Sequence, residues 1–363
     1  AVHPPFRDWC ARLAGQVGAG ERAAVSIRAW QRLQHFARDL DTLAAWTRPL
    51  APFSSMAAAP FASFTFYPYD KAKRLPHILP HDGRGTHRLT TSLAQGEYEG
   101  VTFMLRPFRD VAAFEIRATP LAQGTTTLPD DALTIRVVKC WHTTQNGWNT
   151  YFAGGREFPT LSPELLLFDN DLIRVDEAAR RNLLRIDYPD GPRYVDISVR
   201  DLKNNVPAFN YMIEPVRDAT TLQPLPLTEG LNQQFWITVH APDDAPPGRY
   251  TSSLQLMADG APAGALSLEV TVHPFRLPRP RTNYDLDREY YGTLMHHINL
   301  SDQLELGKNR GIAERRLLAE MRNMRAHNML HPHSPGFDDP QHDDIAKRHY
   351  AVMRAAGMPL KPA

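Results

Sequence analysis

The chain has 363 residues, 42% hydrophobic and 22% charged, which provides apolar surface for two or three packed domains and argues against a disordered chain. Lys and Arg total 41 against 40 Asp and Glu, so charge gives no case for nucleic acid or a membrane surface as partner. No apolar run reaches bilayer length, the opening "AVHPPFRDWC" has no signal-peptide pattern, and Cys10 and Cys140 are too few for a disulfide framework or a cysteine zinc site.

The segment 1–52 is expected to be helical. Between Glu21 and Arg48 there is neither Gly nor Pro, and Ile27, Trp30, Leu33, Phe36, Leu40 and Leu43 recur at helical steps, which predicts an amphipathic packing helix. From 53 to 278 the pattern becomes short period-two runs separated by turn residues. Val101, Phe103 and Leu105 share one face, as do Leu133, Ile135 and Val137, then Val195, Ile197 and Val199, then Phe235, Ile237 and Val239. Tyr250, Ser252, Leu254 and Leu256 lead to Asp259-Gly260, after which Leu266, Leu268, Val270 and Val272 return, predicting a hairpin. Regular strands with few helices between them predict an antiparallel β-sandwich.

The prolines of "FRLPRPRTNYD" mark a boundary, and residues 279–363 change grammar. A tyrosine-rich strand precedes a helix carrying Leu317, Leu318, Met321 and Met324. "NMLHPHSP" reads as a second strand, and "DIAKRHYAVMRAAG" as a helix closed by Gly357. With "MPLKP" as the start of another strand, strand, helix, strand, helix, strand is parallel α/β order. A closed barrel needs roughly 250 residues, so the expected fold is mostly β: a sandwich with an N-terminal helix, followed by the first units of an incomplete (β/α)8 barrel.

The succession "GEYEGVTFMLRPFRDV", "IRVVKCW", "LLLFDNDLIRVDEAARRNLLRI", "QFWITVHAPDDAPPGRY", "VTVHPFRLPRP" and "EMRNMRAHNM" resembles the N-terminal half of bacterial glycoside hydrolase family 123-like proteins over about Leu89 to Met329. That family pairs a β-sandwich with a TIM barrel. The resemblance implies a glycan or glycoconjugate substrate, secretion or a periplasmic location, and release of N-acetylgalactosamine by substrate-assisted hydrolysis. An adjacent Asp-Glu pair does that work in the family, the Glu as general acid and the Asp orienting the acetamide. No such pair ends a barrel strand here. Asp176-Glu177 lies in the sandwich region and is read as a solvated helix start. The catalytic residues are therefore unassigned and expected beyond Ala363, and the chain alone is expected to be inactive.

Candidate substrate contacts are His331 and His333, two residues apart at the end of the second barrel strand, with Tyr291 in the strand before them. A His-x-His pair can also hold a metal, but the acids of "GFDDPQHDD" follow at irregular spacing and Pro332 intervenes, so neither metal nor cofactor is assigned. In "KCWHTTQNGWNTYF", Trp148 beside a glycine serves either to stack on a sugar ring or to pack a domain interface, while Trp141 follows the inward register. Asp169, Asn170 and Asp171 lack calcium-loop spacing and read as a structural turn. The alternative to a hydrolase is a non-catalytic carbohydrate-binding or scaffold sandwich that uses the Trp148 loop.

Overall fold

The computed structural model describes residues 60–65, 75–77, 84–143, 160–198, 200–201, 206–207, 216–277, 294–295, 306–327, 329–330, 332–333 and 343–358. The helix expected over 21–48 lies outside them. The strands are β1 (Phe61–Thr65), β2 (Arg84–Gly85), β3 (Arg88–Gln95), β4 (Tyr98–Pro107), β5 (Val111–Ala118), β6 (Ala122–Gln123) and β7 (Thr126–Thr127). Then come β8 (Leu133–Thr143), β9 (Thr160–Leu167), β10 (Ile173–Asp176), β11 (Arg181–Tyr188), β12 (Gly191–Asp196), β13 (Arg200–Asp201) and β14 (Val206–Pro207). The last are β15 (Leu225–Leu227), β16 (Gln233–His240), β17 (Gly248–Ala258), β18 (Ala261–Arg276), β19 (Leu294–Met295) and β20 (Pro332–His333). Two α-helices are described, α1 (Leu306–Ala326) and α2 (Asp343–Ala355). The described residues of Ala1–Leu184 and Asp218–Leu277 form one compact unit, and those of Arg185–Arg217 and Pro278–Ala363 a second.

The β17–β18 hairpin forms as its sequence requires. Asp259 and Gly260 take φ of 52° and 80°, the doubly left-handed turn that matches strand twist. Tyr250, Ser252, Leu254 and Leu256 are buried on one strand, and Leu266, Leu268, Val270 and Val272 on the other. Asp259 does more than turn the chain. Its carboxylate accepts from the backbone N–H groups of Ala112 and Ala113 at 2.8 and 3.1 Å and pairs with Arg109 at 3.2 Å, which pins the hairpin tip to the start of β5. The Ala113 bond, followed by the Arg109 contact, holds this carboxyl below the usual Asp range.

Two large sheets lie in the first unit, one in the order β2-β1-β4-β16-β8-β9 and one in the order β15-β5-β17-β18-β3 with β6 and β7 beside it, and β10 with the start of β11 belongs to a third, β10-β11-β12. The two large sheets face each other across a ring of phenylalanines. Phe114 of β5 meets Phe61 of β1 edge-on at 5.6 Å and Phe235 of β16 at 5.4 Å, and Phe235 stacks on Phe103 of β4 at 5.3 Å. All four rings are at most 3% exposed. The chain crosses from one sheet to the other between β3 and β4, where Gly96 adopts φ 79° and its N–H donates to the Ala241 carbonyl at 2.8 Å.

The structure corrects the sequence reading at several points. Pairing is antiparallel with one exception in this unit: β3 runs parallel to β18, Leu89 opposite Leu268 and Leu93 opposite Val272. Because β3 leads at once into the other sheet, it is free of hairpin constraint and covers the β18 edge from a distant point in sequence. Trp141 is half-buried, its indole donating to Glu164 at 3.3 Å. A register shift between Lys139 and Cys140 interrupts the inward alternation. Asp176-Glu177 opens a hairpin turn, where Asp176 accepts from the Ala179 N–H at 2.8 Å and Arg180 takes φ 54°. Ile197 falls past the end of β12, because Asp196 accepts from the Ser198 N–H and bends the chain. Asp169 caps the 3-10 turn Asn170–Leu172, as a structural turn requires.

In the second unit, β19 and β20 pair in parallel with α1 between them in sequence. Leu317, Met321 and Met324 of α1 bury against Met353 and Ala356, with Met358 completing the cluster. The two helix ends share one bond, from the N–H five residues past the acceptor. Met358 N–H reaches back to the Met353 carbonyl and Gly357 N–H to that of Arg354, with Gly357 at φ 73°, while Met329 N–H reaches back to Met324. Met329 packs against this cluster, and neither it nor Leu330 lies in a strand, although the sequence pattern suggests one there.

Phe114→Ala is expected to cost about 3–5 kcal/mol, the range for deleting a buried aromatic, read as a lowered urea midpoint with an unchanged slope. A loss under about 1 kcal/mol would mean that the facing sheets do not depend on this ring.

Candidate functional site

Of the residues singled out in the sequence, Trp148, Tyr291 and His331 lie outside the described residues. His333 is described by its backbone, which pairs with Met295 in the parallel β19–β20 ladder. Pro332 is accommodated beside it, opposite Leu294, as proline is where a strand edge needs no donor.

The described residues offer a different surface, the outward face of β4, β16 and β8. Phe235, Ile237 and Val239 point into the core, which places Gln234, Trp236, Thr238 and His240 on the opposite face, where Gln234 is itself buried and the other three are half-buried. On β4 the same alternation brings Tyr98, Gly100 and Thr102 to that face, paired with His240, Thr238 and Trp236. Tyr98 and His240 stack with ring centroids 4.0 Å apart and planes 9° from parallel, and Tyr98 is 50% exposed. Trp236 lies diagonally across Gly100, and a Cβ there would collide with the indole ring. Glycine in mid-strand thus provides the space for a flat aromatic. Beneath, Gln234 donates to Thr102 at 2.8 Å, and Thr102 donates to the Phe235 carbonyl at 2.7 Å. This network fixes both strands under the rings. Half-buried Trp236 and exposed Tyr98, with the Thr134 and Thr238 hydroxyl groups on the neighbouring positions, combine apolar ring faces with hydrogen-bonding groups, a mixture that suits sugar rings.

The other polar concentration, around His142, is structural. Asn182 of β11 is buried, donates to the His142 carbonyl at 2.7 Å and accepts from the His142 N–H at 2.9 Å, completing a ladder rung with a side chain. The His142 ring nitrogens are buried without a hydrogen-bond partner among the described residues. Desolvation lowers the pKa of this imidazole, and attraction to Glu177 opposes the shift without cancelling it. Nearby, Lys139 donates to the backbone carbonyl and side chain of Asn170 at 3.0 and 3.1 Å, and burial lowers its pKa. Glu177 is engaged by His77 at 2.6 Å and Asp176 by its own turn, so that adjacent pair does not form a catalytic dyad. No cluster suited to a metal occurs among the described residues.

Sequence reasoning placed the inward face of β16 and stopped there. The signal for the outward aromatics was Gly100 inside an otherwise regular strand, a mark of close approach by another group.

No family model matches the chain, and no curated protein matches it. Among solved structures it is similar to a family 123 glycoside hydrolase from Clostridium perfringens, described for glycolipid glycan hydrolysis, at 10% identity and a TM-score of 0.40. That match covers 66% of this chain and 32% of the enzyme. The chain therefore spans about a third of that structure. It is also similar to a PapD-like domain of human CEP192, at 8% identity and TM-score 0.20 over 52% of this chain and 82% of the domain. A third similarity is to AvmM, which catalyses macrocyclization in alchivemycin A biosynthesis, at 8% identity and TM-score 0.22 over 52% of this chain and 87% of that one. Likenesses this slight carry no functional argument.

His142 makes stability depend on pH in a direction that follows from its environment. Its folded pKa lies below the ordinary imidazole value of 6.5, so between the two the unfolded chain binds more protons and stability rises with pH. The contribution is complete above 6.5 and is lost as pH falls through the folded value. Urea midpoints between about pH 5 and pH 8 are expected to show this slope, and His142→Gln is expected to flatten it. An identical slope in the variant would assign it to other groups.

Proposed function

We propose that the chain is the accessory and partial catalytic region of a carbohydrate-active hydrolase of the glycoside hydrolase family 123 type, working outside the cytoplasm on N-acetylhexosamine-containing glycans. The observation that supports this reading is the order of architecture. Facing antiparallel sheets are followed in the sequence by the parallel unit β19–α1–β20 and then α2, the succession expected of a sandwich leading into a (β/α)8 barrel. In this reading His331, His333 and Tyr291 contact substrate at strand ends, and the sandwich supports the barrel.

A second reading, a non-catalytic glycan-binding module, is favoured by the outward Trp236, Tyr98 and His240 face. Such a module needs no barrel chemistry. Aromatic stacking supplies affinity, and hydroxyl and imidazole groups at the rim orient the sugar.

Calorimetric titration with N-acetylgalactosamine-terminated oligosaccharides separates the two. The hydrolase reading expects the His331→Ala, His333→Ala double variant to weaken binding about tenfold or more, with Trp236→Ala nearly silent. The module reading expects the reverse, since losing a stacked ring costs about 1–3 kcal/mol. Failure to bind any glycan on a broad array would remove both.

A further inference from the structure

We propose that the cleft at the C-terminal ends of α1 and α2 is an oxyanion site, which takes a phosphorylated or sulfated small molecule through Arg322, Arg325 and Arg354. The cleft has a volume of about 550 Å³ and is bounded by these arginines with Leu330, the Ala326 and Ala355 side chains, and the α2 cap. No acidic side chain lines it among the described residues.

Arg322 and Arg325 stand three residues apart on α1, to one side of the Leu317, Met321 and Met324 face that packs the core, and all three arginines are exposed. None makes a hydrogen bond or ion pair among the described residues, and the nearby acids are committed elsewhere: Glu320 to Arg316 at 2.8 Å and Glu314 to Arg348. Basic residues near helix ends commonly serve the last carbonyls. Here backbone donors already occupy those carbonyls. Val352, Met353 and Arg354 accept from Ala356, Met358 and Gly357 at 2.9, 3.0 and 2.9 Å, while Asn323 and Met324 accept from His327 and Met329. Arg325 and Arg354 complement the dipoles of the helices that carry them, but the carbonyls of Val352, Met353, Arg354, Asn323 and Met324 do not occupy their N–H donors.

Gly357 completes the arrangement. At φ 73° it favours glycine on conformational grounds, and the Arg325 guanidinium carbon sits 3.0 Å from where a Cβ would stand. The missing Cβ leaves room for the α1 arginine to lie against the end of α2, and Arg354 lines the same cleft. Three like charges lining one cleft repel one another, and an oxyanion with two or more negative charges offsets that repulsion through forked, charge-assisted hydrogen bonds. The volume exceeds what a bare ion needs, and Leu330 with the two alanines provides an apolar wall for a carbon skeleton. This inference is independent of the glycan reading.

Calorimetry on the intact chain at constant ionic strength tests it with three probes: inorganic pyrophosphate, glucose 6-phosphate and glucosamine 6-sulfate. One molecule per chain is expected to bind in at least one arm. Tighter pyrophosphate binding would identify a free oxyanion as the ligand, and tighter ester binding a modified sugar. Arg322→Gln with Arg354→Gln is expected to weaken binding about tenfold or more, the corresponding lysine pair to restore part of it, and Arg249→Gln in the other unit to change nothing. If the double variant misfolds, phenylglyoxal labelling of the wild-type chain gives the same information, because a bound probe should protect Arg322, Arg325 and Arg354 but not Arg249. Absence of saturable binding in every arm, undiminished affinity in the folded double variant, or equal labelling with and without probe overturns the proposal.

Discussion

Phe114 stands between the two sheets of the first unit, and the other inward residues of that unit depend on the separation it sets. Its ring meets Phe61 edge-on and Phe235 at a tilt, so one side chain of the seven-stranded sheet touches two strands of the six-stranded one. Edge-to-face packing suits the quadrupoles of the rings and fixes distance and angle more sharply than aliphatic contact does. The buried faces of β16, β17 and β18 then fill the space on either side.

Around this apolar centre, side chains repeatedly stand in for missing backbone pairing. Asn182 completes a rung for His142, and Asp259 satisfies two N–H groups at the start of β5. Buried Arg106 bonds Asn232, whose amide in turn reaches the Leu75 carbonyl. A sandwich with a sheet-changing corner and a register shift leaves backbone groups without strand partners, and each would carry a desolvation cost if left alone. These side chains answer that requirement, which is why they are poor candidates for chemistry even where a pKa is displaced, as at Asp259.

What remains for function lies on surfaces that the core does not need. The outward aromatics of β4 and β16 are supported from below by the Gln234 and Thr102 network, and the arginines of α1 and α2 project from helices already closed by their own caps. In both places the groups lie on a scaffold that holds their backbones in position.

The sequence by itself determined the local elements whose cause is local. Period-two alternation placed the strands, Asp259-Gly260 set the hairpin through its left-handed turn, helical spacing gave α1 and α2, and Gly357 ended the second helix. Inward residues of β16 to β18 were legible for the same reason, since burial on one face leaves a period in composition. Only the tertiary structure decided the parallel pairing of β3 with β18, the shift that turns Trp141 partly outward, and the hairpin turn at Asp176-Glu177. The first depends on partners far apart in sequence and the second on a shift of register, neither of which changes the local pattern, while the turn has local bonds but its composition also suits a helix start. The aromatic face and the arginine cleft were hidden similarly: Trp236 finds its place over Gly100 across a strand pair, and Arg325 meets Gly357 across a helix pair, so their neighbours exist only once the chain has folded.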